Sequence, residues 1–259
     1  MKNQMKSLSI IMPALNEEKN IILAVDLSFK AAEKYAIKAE IIVINDGSTD
    51  KTGILLEKYR SENKKRKLKI IKHEKPMGIG YSFMDGVRNA SNEIVVMFPG
   101  DNENDAESAL ECFQMLNHVD ILVPFIHNDE VRNRFRRLLS SLYRFIINMS
   151  FGINLNYTNG TVFYRRSIFE DIELQTTGFF YQAELLIKLI RRGYLFAEVP
   201  NFLSVRSSGK TKAVSLKSFI NVAKSYLILL FNIHILRVSG QVDIEFLNKK
   251  SISYKKYNK

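Results

Sequence analysis

Along the first 125 residues the hydrophobic positions alternate between two rhythms. Short continuous apolar runs of strand length occur at residues 8–12, 40–44, 68–72, 94–98 and 120–125. Between them the apolar residues recur at helical spacing. The first such stretch is expected to run from Asn16, a cap ahead of Glu17 and Glu18, to residue 35; the second, capped by Ser48 or Thr49, covers residues 50–62. Two more cover residues 81–90 and 106–116. Strands alternating with helices of this length predict an α/β fold with a parallel sheet between helical layers. Ligands of such sheets sit beyond the carboxyl ends of the strands, which gathers residues 13–17, 45–50 and 99–105 into one crevice.

The last of those loops changes the picture most. The run 94–98 ends in Pro99 and Gly100, followed by Asp101, Glu103 and Asp105 at alternate positions. Carboxylates so spaced suit Mg2+ or Mn2+ shared with a substrate's phosphates. The same residue types also build turns and cap helices, so the pattern alone leaves both readings open.

The second half is patterned differently. Arg132, Arg134, Arg136 and Arg137 open an amphipathic stretch carrying Leu138, Leu139, Leu142, Phe145 and Ile146. Residues 216–238 repeat a helical spacing in which the purely apolar part, 226–231, falls far below the roughly 20 residues of a membrane span. That segment is expected to dock on the body of the protein or to lie in a membrane interface. The lysine-rich residues 249–259 are expected to be disordered and drawn to anionic lipid.

Charge sharpens this division. Residues 1–130 carry 17 basic and 20 acidic side chains and the remainder 21 and 7, so the second half calls for an anionic partner. No zinc-ligand spacing or glycine-aromatic signature supports nucleic acid as that partner. The basic tract 64–67 reads as a solvated linker. With 46% hydrophobic residues over 259 positions the chain has ample material for a core. A single cysteine, Cys112, and the absence of a secretory pattern in the first residues predict a cytoplasmic location, including the inner face of a membrane.

Pro13, Leu15, Asn16 and Glu17 after the first strand, Asn45, Asp46, Gly47, Ser48 and Asp50 after the second, Pro76, Gly78 and Gly80, and then the acidic loop together resemble the family 2 glycosyltransferases. The resemblance implies the GT-A fold, a Rossmann-like, mostly parallel sheet flanked by helices, here with a C-terminal amphipathic helical segment. Residues 157–166, 198–200 and 206–212 are similar to the polyprenyl-phosphate sugar transferases of the dolichol-phosphate mannose synthase type. The implied division is a GT-A domain over 1–212, with a nucleotide-sugar half (1–125) and an acceptor half (126–212), an amphipathic segment over 213–240 and a basic tail over 241–259.

The resemblance further implies inverting transfer of a sugar from a nucleotide-sugar donor, with Mg2+ or Mn2+ as cofactor. The acceptor is expected to be a polyprenyl phosphate, or alternatively a glycan hydroxyl in cell-surface polysaccharide synthesis; a non-catalytic nucleotide-binding or membrane-surface scaffold would keep the same fold. Pro13, Leu15, Glu17, Asp46 and Gly78 are expected around the nucleotide, with Arg206 and Lys212 at the donor diphosphate. Arg132, Arg136 and Arg137 are expected at the acceptor phosphate. Pro99 stands where the family's first metal-site aspartate is usual, which leaves Asp101 and Glu103 to hold the cation. Near residues 156–162 an arginine usual in relatives is absent. For a hydroxyl acceptor Glu184 is the expected general base, whereas a phosphate monoester is already ionised and needs none.

Overall fold

A computed structural model describes residues 7–126, 134–158, 160–201, 216–235 and 247–258, with the backbone alone at 126, 134–136, 201 and 216–218. Seven strands form one sheet: β1 (Ser7–Ala14), β2 (Lys38–Asp46), β3 (Leu68–His73), β4 (Ile94–Met97), β5 (Ile121–Ile126), β6 (Phe163–Arg165) and β7 (Phe196–Asn201). Their order is β3-β2-β1-β4-β6-β5-β7. The expected parallel arrangement holds for β1 with β2 and β4, for β2 with β3, and for β5 with β7. The short β6 runs antiparallel between β4 and β5, a strand too brief to show a periodicity.

Eight α-helices accompany the sheet in the described residues: α1 (Ile21–Lys34), α2 (Thr52–Glu62), α3 (Ile79–Asn89), α4 (Ala106–Glu111), α5 (Arg134–Phe151), α6 (Tyr181–Arg191), α7 (Leu216–His234) and α8 (Ile252–Tyr257). Ile11, Ile42, Ile44 and Val95 point to the face covered by α3, α5 and α6. Ile10, Met12, Ile41, Val43 and Val96 point to the face covered by α1, α2 and α4. Burial on both sides explains why these strands are continuously apolar instead of alternating.

Several expectations about helix ends need correction. Asn16 does not cap α1, which begins at Ile21 behind Asn20 without a side-chain cap. Neither Ser48 nor Thr49 caps α2; Asp50 Oδ1 accepts from Thr52 N at 3.0 Å in their place. The stretch 106–116 is α4 followed by a 3₁₀ turn, Phe113–Asn117, with Cys112 at the junction, where burial raises the thiol's pKa.

The tail departs most from its composition. Ser251 caps α8 through Tyr254 N at 3.0 Å, and the fully buried Asp120 accepts from Ile252 N at 2.7 Å, Ser253 N at 2.8 Å and Arg165 Nε at 3.0 Å. Lysines on the exposed side masked a segment whose serines anchor it to β5. The basic tract is likewise partly structural: Arg66 pairs with Asp26 at 2.6 Å, reaches the Tyr59 hydroxyl and lies over the Phe29 ring.

Candidate functional site at the carboxyl edge of the sheet

The loops after β1, β2 and β4 are laced together by hydrogen bonds. Gly100 N donates to Pro13 O at 3.0 Å and Phe98 N to Ile11 O at 3.0 Å, which seats the acidic loop on the end of β1. On the other side Asn16 takes a left-handed conformation, φ 57°, that asparagine tolerates better than most residues. There its amide donates to Ser48 Oγ at 3.0 Å, and its Oδ1 accepts from Thr49 N at 2.8 Å. Glu17 N donates to Thr52 Oγ1 at 2.9 Å, Glu18 N to Asp50 Oδ2 at 3.1 Å and Lys51 N to Glu18 Oε2 at 3.1 Å. Burial pushes the Asp50 carboxyl up, but hydrogen bonds from Thr52 and from the Glu18 amide outweigh it and hold the pKa below its usual value. Pro13, Leu15 and Glu17 are thus fixed at one rim of the crevice, each partly buried.

Asp46 ends β2 and is only 5% exposed. Oδ1 accepts from Met77 N at 2.8 Å and Oδ2 from Gly78 N at 3.0 Å. His73, at the end of β3, presents Nδ1 to Asp46 Oδ1 at 2.7 Å and Nε2 to Asp85 Oδ2 at 3.2 Å. The loop over residues 74–78 therefore lies on Asp46, close enough that a Cβ on Gly47 would meet the Lys75 carbonyl carbon at 2.6 Å. Gly78, with φ +97°, passes so near Thr177 O that a Cβ would meet it at 2.6 Å. Both positions require glycine on conformation and on space.

In the acidic loop the three carboxylates separate into two tasks. Asp105 caps α4, accepting from Glu107 N at 3.1 Å and Ser108 N at 3.3 Å. Asp101 Oδ1 accepts from Glu103 N at 3.1 Å across Asn102, itself left-handed at φ 58°. Asp101 is partly buried and Glu103 exposed. No group of three or more His, Cys, Asp or Glu side chains gathers around a metal position among the described residues. A two-carboxylate donor set fits an ion that takes its other ligands from water and a diphosphate, as Mg2+ does.

The second half reaches the crevice through α6. Tyr181 OH donates to Met97 Sδ at 3.0 Å, which fixes the start of α6 behind the end of β4. Glu184, the expected general base for a hydroxyl acceptor, lies in the first turn of α6 and is 1% exposed. Its carboxylate accepts from Gln175 N at 2.8 Å, from Thr176 N at 3.0 Å and from Lys188 Nζ at 2.6 Å. These three partners fix the carboxylate in place within the fold. Glu184 holds residues 175 and 176 beside Thr177, whose O accepts from Gly80 N at 2.8 Å.

Arg137 is partly buried on α5. Arg136 lies in the same helix with its side chain outside the described residues, and Arg132, Arg206 and Lys212 lie outside them altogether. Three residues escaped the sequence reading: Asn16 as a tie between loops, His73 and Asp85. For Asn16 the signal was present, since asparagine at a strand end suits a left-handed turn as well as a cap. For His73 and Asp85 it was not, because the two come together only when β3 and α3 fold onto β2.

Two curated relatives bear on this arrangement. Dodecaprenyl-phosphate galacturonate synthase of Rhizobium johnstonii is 26% identical over 174 residues, which cover 66% of this chain and 51% of that protein. Undecaprenyl-phosphate 4-deoxy-4-formamido-L-arabinose transferase of Pectobacterium atrosepticum is 24% identical over 152 residues, 59% of this chain and 46% of that protein. The chain thus spans about half the length of the curated relatives it matches. Among solved structures, glucosyl-3-phosphoglycerate synthase from Mycobacterium tuberculosis, in complex with Mg2+ and uridine diphosphate, superposes with a TM-score of 0.64 at 18% identity, covering 87% of this chain and 79% of that one. That likeness is one of fold, and the fold is GT-A. The family model for glycosyl transferase family 2 matches residues 9–173, the span that contains β1 to β6 and all three laced loops, and on that match the chain belongs to glycosyl transferase family 2.

Proposed function

We propose that this protein transfers a sugar from a nucleotide-sugar donor to a polyprenyl-phosphate acceptor, with inversion at the anomeric carbon. The observation that carries the reading is the lacing of the β1, β2 and β4 loops into one edge, with the loop of Asp101 and Glu103 seated on the end of β1 through Gly100 N and Pro13 O. In this reading Pro13, Leu15, Glu17 and Gly78 form the nucleotide cradle, Asp46 orders its base-side wall, and Arg206 and Lys212 face the donor diphosphate. Asp101 and Glu103 hold Mg2+ or Mn2+, which when bound neutralises the charge that builds on the departing diphosphate. Arg132, Arg136 and Arg137 take the acceptor phosphate, for which guanidinium forks are suited. The engagement of Glu184 favours an acceptor that needs no base, and a phosphate monoester is already ionised. The two curated relatives, whose names carry polyprenyl-phosphate acceptors, point the same way.

An anionic membrane surface completes the reading. No helix among the described residues is long and apolar enough to cross a membrane. Yet α5 exposes Leu138, Leu142, Phe145 and Met149, the last to 71%, and α7 exposes Phe219, Leu227 and Phe231. The two helices are joined where Ser150 Oγ meets Tyr226 OH at 2.6 Å and the Phe151 and Tyr226 rings meet edge to face. Exposed apolar side chains on two joined helices, with Arg137 and Arg144 on α5 and Lys224 on α7, suit the acyl boundary and headgroups of anionic lipid, where a polyprenyl phosphate resides.

The test is nucleotide release from a panel of nucleotide-sugars, with Mn2+ or EDTA, and with polyprenyl phosphate in vesicles or a soluble glycan. Release from one donor that needs both metal and polyprenyl phosphate is expected. Release stimulated by the glycan alone overturns the acceptor, and full release in EDTA overturns the metal role.

A further inference from the structure

The imidazole of His73 stands between two carboxylates from different elements, Asp46 on β2 at 2.7 Å and Asp85 on α3 at 3.2 Å. Ionised carboxylates can only accept hydrogen bonds, and a neutral imidazole donates from one nitrogen alone. A neutral His73 would therefore set a bare nitrogen lone pair against one of the two carboxylates. A doubly protonated ring satisfies both.

The remaining surroundings agree with this. The groups facing the ring among the described residues are Asp46, Asp85 and Tyr81, whose ring lies edge to face at 5.4 Å between centroids, and none of them is cationic. Asp85 is itself steadied by Asn89 Nδ2, which donates to its backbone oxygen at 2.9 Å and to Oδ1 at 3.3 Å. Burial pulls the His73 pKa down, but hydrogen bonds and charge from Asp46 and Asp85 outweigh it and hold the pKa above the usual histidine value.

We propose that His73 and Asp85 are positioning residues of the donor site: the charged imidazole pins Asp46 toward α3, and Asp46 in turn holds the Met77 and Gly78 amides that shape the donor's base-side wall. The inference rests on the donor reading above for its consequence, though not for its geometry. Neither residue need touch the donor. Because Asp46 spends one oxygen on His73 and Met77 and the other on Gly78, its orientation depends on the protonation of a neighbour.

The sign of the pH effect follows. A folded pKa raised above the unfolded value gives a contribution that is complete below the unfolded pKa and is lost as pH rises through the folded one. The loop should therefore loosen on the alkaline side of the ordinary histidine range, and donor affinity should fall there. Acidification across that range should leave the clamp closed.

The experiment follows the His73 ring nitrogens by NMR across pH, amide hydrogen exchange at Met77 and Gly78, and the binding of UDP and GDP by calorimetry, in the wild type and Asp85→Asn. Expected are two protonated ring nitrogens at neutral pH and a midpoint above the ordinary histidine range that falls in Asp85→Asn. Exchange at Met77 and Gly78 in the variant should be about tenfold faster. Nucleotide affinity should weaken by about fivefold, with the donor's KM raised more than kcat is lowered. A His73 that titrates in the ordinary range, or a variant whose midpoint and amide exchange match the wild type, overturns the clamp. A wild type that binds neither nucleotide at any pH overturns the donor reading instead, and titration with exchange then decides the clamp alone. His73→Gln, which keeps a single donor, should stay folded by circular dichroism but lose the alkaline limb of the affinity profile, and a folded variant that keeps that limb overturns the clamp.

Discussion

The carboxyl edge of the sheet and the ledge formed by α5 and α7 represent opposite ways of finishing a surface. At the edge, polar groups are satisfied within the chain: Asn16, Asp46, Asp50 and Asp105 each accept from backbone amides of the loops or of the helix starts behind them. On the ledge the apolar side chains stay in water, Phe219 to 71%, with a basic complement around them. The first closes its polar groups on one another. The second leaves in solvent the kind of area that folding normally buries, and on the function proposed above that area meets lipid. The difference predicts that substitutions at the edge alter chemistry or stability, whereas substitutions on the ledge alter location.

The hardest blow to the edge is Asp101→Asn. The bond from Glu103 N is kept, because an amide oxygen still accepts it, while on the proposed function one of the two anionic ligands for the cation is gone. A loss of about 100- to 1000-fold in kcat/KM is expected, the size seen when one stabiliser of developing charge is removed. Steady-state nucleotide release checks it, with thermal denaturation unchanged. Equal activity in both proteins would show that the acidic loop holds no catalytic ion.

The same contrast explains what could be read from the sequence. The five parallel-type runs and the loops after them were legible because each is local: a buried strand is continuously apolar, and its turn needs Gly, Asn or Asp at fixed places. Misreadings came where a side chain answers to a distant part of the chain. Asn16 looks like a helix cap until β2 brings Thr49 within 2.8 Å. The tail 249–259 looks disordered by composition because the anchor of its described part, Asp120, lies 132 residues away in sequence from Ile252. His73 carried no local sign at all, since its two carboxylates belong to other elements.

On the ledge, the double change Leu142→Glu with Phe231→Glu should separate location from folding. Leu142 is 54% exposed and Phe231 53%, so neither substitution opens a cavity, and stability should move by no more than about 0.5 kcal/mol. If the ledge meets lipid, withdrawing two side chains from the acyl boundary should lower partition to anionic vesicles by at least about tenfold, each being worth about 1.5–3 kcal/mol when fully buried. Vesicle sedimentation measures this. A large loss of stability would mean that the face is internal packing, and the contrast between the two regions would collapse.

The smallest effect tests the lacing itself. Asn16→Gly keeps easy access to the left-handed backbone but removes the oxygen that accepts from Thr49 N, so it should cost about 1 kcal/mol, the net worth of such a bond. Asn16→Ala removes the same oxygen and adds the strain of a left-handed alanine, a further 1–2 kcal/mol or about that. Chemical denaturation of the two variants therefore separates bond from backbone. If both lose the same amount, the conformation at residue 16 contributes nothing. If neither loses stability, the β1 and β2 loops are held together without this tie, and the edge owes its order to strand pairing between Pro13 and Ile44 and between Ala14 and Asn45.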